Sequence, residues 1–155
     1  MKLLVLAMGD KLPAWAETAV GEYVKRMPRE ARIEVVSLRP EKRTGQPAER
    51  IKSLEAARIL EKCPAGARLV ALDEHGRQAT TRELAAMLTD WLPSGRDTTL
   101  VIGGADGLAA EVLERAELTL ALSRLTLPHA LARVLLVEQL YRAWTVLANH
   151  PYHRD

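Results

Sequence analysis

Hydrophobic positions fall into two kinds of run that alternate along the chain. Lys2 to Met8 is nearly continuously apolar and stops at Gly9-Asp10, as a buried strand does, whereas after Pro13 the residues Ala16, Val20, Tyr23, Val24 and Met27 share one helical face. Arg32 to Leu38 is rich in β-branched residues, Arg39 to Pro47 is a polar loop around Gly45, and Ala48 to Lys62 is helical until Pro64 and Gly66. Arg68 to Leu72 is a third strand. Thr80 with Glu83 makes a capping box that opens a helix carrying Leu84, Met87, Leu88 and Trp91 on one side. Thr98 to Ile102 runs into Gly103-Gly104-Ala105-Asp106-Gly107, Leu108 to Arg115 forms a short helix, and Leu118 to Leu122 is the fifth strand. The spacing predicts a long last helix over Leu131 to Ala148. Five strand-helix pairs with continuously apolar strands imply an α/β fold, a mostly parallel sheet with helices on both faces and its ligand site beyond the strand carboxyl ends.

The last helix carries two apolar stripes, Val134, Val137, Tyr141, Trp144 and Ala148, then Leu136, Leu140, Ala143 and Leu147. Such a helix is either central in a large core or packed on a second subunit. In a chain of 155 residues the second is expected, a homodimer. Length and an apolar content of 48% fit one domain over residues 1 to 155. Apolar runs fall short of the roughly 20 residues that span a bilayer, and the apolar start leads into a helix instead of a cleavage site. With Cys63 the single cysteine, these features predict a cytoplasmic protein without a membrane partner.

Net charge is only +2, but its distribution is uneven. Residues 25 to 52 hold nine basic against four acidic groups, among them Lys25, Arg26, Arg29, Arg32, Lys42, Arg43 and Lys52. A patch that follows nucleic-acid phosphates is one reading, a solvated face the other.

Three segments are candidates for chemistry. The glycine turn at 103 to 107 lets a ligand approach the backbone, and it matches neither the dinucleotide fingerprint nor a P-loop, since no lysine follows Gly107. Leu122-Ser123-Arg124-Leu125-Thr126-Leu127-Pro128-His129 is too long for a tight turn and suits a pocket enclosing a flat ring. The tail Asn149-His150-Pro151-Tyr152-His153-Arg154 offers a stacking ring, a cation and a group that titrates near neutral pH. Pro151 breaks the register between the two histidines, so no metal site is expected.

These segments, with Leu72-Asp73 and Tyr141-Arg142-Ala143-Trp144, closely resemble the ribosomal RNA large subunit methyltransferase H family of the SPOUT class, over essentially the whole chain. The resemblance implies a carboxyl-terminal trefoil knot, a homodimer, S-adenosylmethionine as cofactor, and N3 methylation of a pseudouridine in 23S rRNA, within the large subunit or the assembled ribosome. It also implies a cofactor pocket from Leu72, Gly103, Leu122, Ser123, Arg124, Leu125, Thr126 and Leu127. His129, Arg142, Tyr152, His153 and Arg154 are the expected catalytic groups. Ala105 and Ala130 stand where many relatives are expected to have proline. The main alternative is a non-catalytic RNA-binding factor in ribosome assembly. A further rival is an α/β enzyme acting on a free nucleotide.

Overall fold

The computed structural model describes residues 1–154, so Asp155, the end of the tail, lies outside the described residues. Strands β1 (Lys2–Met8), β2 (Arg32–Leu38), β3 (Arg68–Gln78), β4 (Thr98–Ile102) and β5 (Leu118–Ala121) form a parallel sheet in the order β2-β1-β4-β3-β5. Helices α1 (Ala14–Val24), α3 (Thr81–Trp91) and α5 (His129–Leu147) cover one face, while α2 (Ala48–Lys62) and α4 (Ala110–Arg115) cover the other. The alternation of β1 shows why. Leu3, Val5 and Ala7 enter the core under the first three helices, and Leu4, Leu6 and Met8 enter the core under the other two. Strands covered on both sides need apolar groups at nearly every position, and β1 from Leu3 onward and all of β4 are buried.

The helix starts follow from local chemistry. Pro13, Pro47 and Pro128 precede α1, α2 and α5, each with φ near the proline value and an extended ψ. Thr80 and Glu83 close the expected capping box, with Glu83 N–H donating to Thr80 Oγ1 at 3.1 Å and Thr80 N–H to Glu83 Oε2 at 2.8 Å. Burial pushes the Cys63 thiol up, in keeping with an unreactive side chain. Among the described residues no helix is long and apolar enough to cross a membrane.

Two expectations change. The third strand is longer than Arg68 to Leu72: it pairs with β5 up to Leu72, bulges through Asp73 to Gly76, and pairs again at Arg77 and Gln78. The polar bulge hides the second half of the strand from a reading of hydrophobicity. The two stripes of α5 also have an explanation within one chain. Lying between α1 and α3 on the sheet, α5 buries Val137 and Tyr141 from one stripe and Leu136, Leu140 and Ala143 from the other. It is the central helix of three, so the stripes alone do not require a partner. What stays at least partly exposed is a third line, Leu131, Leu135, Glu138 and Arg142, at helical spacing.

Candidate functional site

The loops that leave β4, β3 and β5 are neighbours because those strands are adjacent in the sheet. They enclose a cleft of about 630 Å³. Seven of the eight predicted cofactor residues line it: Leu72, Gly103, Leu122, Ser123, Leu125, Thr126 and Leu127, with Arg124 exposed outside the lining. Leu72, Ile102, Leu108 and Leu113 add apolar wall, and Lys52, Asp73 and Glu74 add charge. Leu125 N–H donates to Ser123 Oγ at 2.9 Å, which stiffens the loop after β5.

Gly103 has a tighter reason for being glycine than ligand approach. A Cβ there would stand 2.8 Å from the Gly107 carbonyl carbon and 2.9 Å from its oxygen. The turn closes on itself through Gly107 N–H to Gly104 O at 3.0 Å, with Gly107 at φ 82°. A valine at 103 therefore distorts the turn itself, which makes it a poor probe of ligand binding alone.

A second cleft, about 340 Å³, adjoins the first and shares Gly104, Ala105 and His129 with it. Two buried ionisable side chains line it, Arg133 at 1% exposure and Glu55 at 5%. Arg133 Nη1 donates to Ser37 Oγ at 2.9 Å and to the Asp10 carbonyl at 3.4 Å, and its Nε has no hydrogen-bond partner. Glu55 Oε2 accepts the Glu41 N–H at 3.0 Å. His129 Nδ1 is buried without a partner, and burial, aided by the Arg133 charge and opposed by Glu55, lowers the imidazole pKa. Sequence reasoning missed Arg133 and Glu55. The signal was present: Glu55 stands on the apolar line Ile51, Glu55, Ile59, and Arg133 interrupts the apolar run of α5.

The other predicted catalytic groups gather elsewhere. The tail turns back at Asn149, which adopts a left-handed φ of 53°, and His150 N–H donates to Thr145 O at 2.9 Å. Tyr152 packs edge-on against Tyr141 with centroids 4.7 Å apart, and its hydroxyl donates to Glu138 Oε1 at 3.1 Å. Arg142 lies over the Tyr152 ring at 4.7 Å and binds Glu138 through Nε at 2.8 Å and Nη2 at 2.6 Å. His153 Nδ1 is 3.4 Å from Arg142 Nη1. Burial and hydrogen bonding with Tyr23 and Glu138 raise the Tyr152 pKa, and the bond to Glu138 raises that of Arg142. Arg154 is exposed. His129 opens α5, whereas Glu138 and Arg142, on which Tyr152 packs, lie about 14 and about 20 Å further along the helix.

The basic segment is divided too. Arg43 pairs with Asp106 at 2.9 Å and Lys52 lines the larger cleft, whereas Lys25 and Arg26 pair with Glu22 near the end of α1. Arg26 also sits over the rings of Tyr23 and Tyr141 at the tail cluster.

Comparison with known proteins agrees with this architecture. A family described as "Predicted SPOUT methyltransferase" matches residues 1–153. Ribosomal RNA large subunit methyltransferase H of Herminiimonas arsenicoxydans is 50% identical over 155 residues, and that of Paraburkholderia xenovorans 54% over 155, each alignment covering 99% of both chains. Among solved structures, the A. aeolicus TrmH/SpoU tRNA modifying enzyme aligns with a TM-score of 0.54 at 15% identity, over 99% of this chain and 81% of that one, a likeness of fold. The chain belongs to the SPOUT methyltransferases and, within them, to the family of ribosomal RNA large subunit methyltransferase H.

Proposed function

We propose that this protein is an S-adenosylmethionine-dependent methyltransferase that modifies N3 of a pseudouridine in 23S rRNA, as a cytoplasmic homodimer with a trefoil knot in its carboxyl-terminal half. The observation that carries the reading is the meeting of Leu72, Gly103, Leu122, Ser123, Leu125, Thr126 and Leu127 around one cleft at the strand carboxyl ends, in a chain about half identical to ribosomal RNA methyltransferases over its full length. The cleft suits the cofactor: apolar walls for a flat ring and adjacent loop backbone to read the ring edge. Bound there, the cofactor supplies a methyl group on a sulfonium, open to attack by a nitrogen lone pair.

The protein's own work is to hold the base in line and to favour loss of the N3 proton. His129 stands at the cleft, held toward its neutral form by burial, and is placed to accept a proton. Tyr152 packs on Glu138, Tyr141 and Arg142, none of which lines either cleft, so in this reading Tyr152, His153 and Arg154 serve the partner's cleft. Arg142 and Glu138 fix Tyr152 in place. Trp15 at 57% exposure and Leu131 at 39% are apolar groups on the first turns of α1 and α5, consistent with a covered surface there.

Calorimetric titration with S-adenosylmethionine, followed by transfer of labelled methyl to large ribosomal subunits and mapping of the modified nucleotide, tests the function. Folded protein that binds RNA without binding the cofactor is instead an assembly factor. The composite site is tested by mixing Thr126→Trp, verified as unable to bind cofactor, with Arg154→Ala under subunit exchange. Mixed dimers regain one working site; verified heterodimers that stay inactive place the tail in its own subunit's reaction.

A further inference from the structure

The smaller cleft is lined by none of the residues expected to hold the cofactor, yet it is the one that buries two ionisable side chains. Two ionisable side chains stand on helix faces that are otherwise apolar, Glu55 between Ile51 and Ile59 and Arg133 beside Ala132 and Leu136. Each also requires a glycine opposite. A Cβ at Gly9 would collide with Arg133 Nη2, and one at Gly104 would lie 2.9 Å from Glu55 Oε1. Buried ions are retained where something satisfies them. Here Arg133 Nε and His129 Nδ1 lack partners. One Glu55 oxygen is held by the Glu41 N–H.

The occupant follows from the neighbouring cleft. At about 630 Å³ that cleft is within the size range of sites that enclose a whole small-molecule ligand. The smaller one, about 340 Å³, shares the Gly104-Ala105 turn and His129 with it, so what fills it abuts the cofactor, as the methyl acceptor must. A base within RNA reaches such a pocket only when turned out of its stack. Resting on the proposed reaction, we infer that this second cleft holds the target base, with Glu55 accepting the N1–H that pseudouridine has and uridine lacks, and Arg133 donating to the adjacent C2 carbonyl. That pair of contacts reads a donor beside an acceptor. It leaves N3, on the other side of that carbonyl, free to face the methyl group. A buried carboxylate left unpaired by uridine provides the discrimination.

The test compares the wild-type protein with Glu55→Gln on large subunits carrying either pseudouridine or uridine at the target. Glu41 N–H holds one side-chain oxygen, so the amide of the variant turns its NH2 toward the base. The preference for pseudouridine, as a ratio of kcat/KM, is expected to fall at least about tenfold while cofactor Kd is unchanged. An unchanged preference overturns the assignment. So does a matching loss of cofactor affinity, which would give the cleft to the cofactor's own amino-acid end. Should Glu55→Gln fail to fold, Ala130→Phe fills the cleft from its half-buried wall while both ionisable side chains are kept. Lost methylation with retained cofactor binding supports the base pocket, and full activity refutes it. A wild-type protein that binds cofactor but methylates neither RNA overturns the parent reading instead.

Discussion

Gly76→Ala separates a structural reason for glycine from mere flexibility. Gly76 closes the bulge of β3, and a Cβ there would lie 2.8 Å from the backbone carbonyl carbons of Thr119 and Leu120 and from the Thr119 oxygen. Ordinary contact begins at 3.4 Å, and none of the three atoms belongs to a side chain that can swing aside. Relief requires β3 and β5 to part by at least about half an ångström where both are paired. Overpacking of this kind costs about 1 to 3 kcal/mol, and backbone on both sides argues for the upper end. For a domain of this size that lowers Tm by about 6 to 12 °C. Because Asp73, Glu74 and His75 of the same bulge line the larger cleft, the proposed cofactor site there predicts that cofactor affinity falls with stability. Gly21→Ala is the matched control: exposed within α1 with nothing inside 4 Å, it should stabilise by about 0.5 to 1 kcal/mol and leave binding alone. Calorimetric melting and cofactor titration on both variants read the result. A Gly76→Ala protein with wild-type Tm and affinity would show that the bulge is not seated on β5.

Replacing Lys42 and Arg43 together with Ala should weaken rRNA binding and reduce the slope of log Kobs against log salt by about 1 to 2, measured by filter binding; an unchanged slope makes them a solvated face. His129 has a folded-state pKa below its unfolded value, so the unfolded chain binds the extra proton. Stability should therefore fall as pH drops through about 6.5, the unfolded value, and level off below the folded pKa. His129→Gln should flatten that segment in urea titrations across pH, and a slope equal to wild type would assign the dependence to other groups.

The fold was legible where one kind of physics decides. Continuous apolar strands announced a doubly covered parallel sheet, and Thr80 with Glu83 placed the start of α3 to the residue. Tertiary context decided the rest. The bulge at Asp73 to Gly76 reads as loop because its side chains are polar, yet it exists because Arg77 and Gln78 re-pair with β5. The stripes of α5 are equally apolar whether α1 and α3 or another subunit covers them. The cofactor loops were visible as irregular, glycine- and hydroxyl-bearing segments after strands. Arg133 and Glu55 were overlooked because a charge within a helix is ordinarily solvated, and only the burial of their neighbours marks these two as exceptions.

Parallel strands give the molecule two unlike ends, and that asymmetry bears on how so small a chain would hold a large RNA. At the carboxyl ends lie both clefts, Arg43 and Lys52. Toward the opposite end lie Lys25 and Arg26, with the Tyr152 cluster packed along α5 from Glu138 to Arg142. One subunit thus keeps Lys25, Arg26 and Tyr152 away from its own clefts. A twofold partner packed with α5 antiparallel across the exposed line of Leu131, Leu135, Glu138 and Arg142 would bring the tail end of each chain beside the cleft end of the other. Lys25 and Arg26 of one chain, and Arg43 and Lys52 of the other, would then flank a single cleft. In that arrangement one twofold interface would both complete the proposed active site and gather the phosphate contacts.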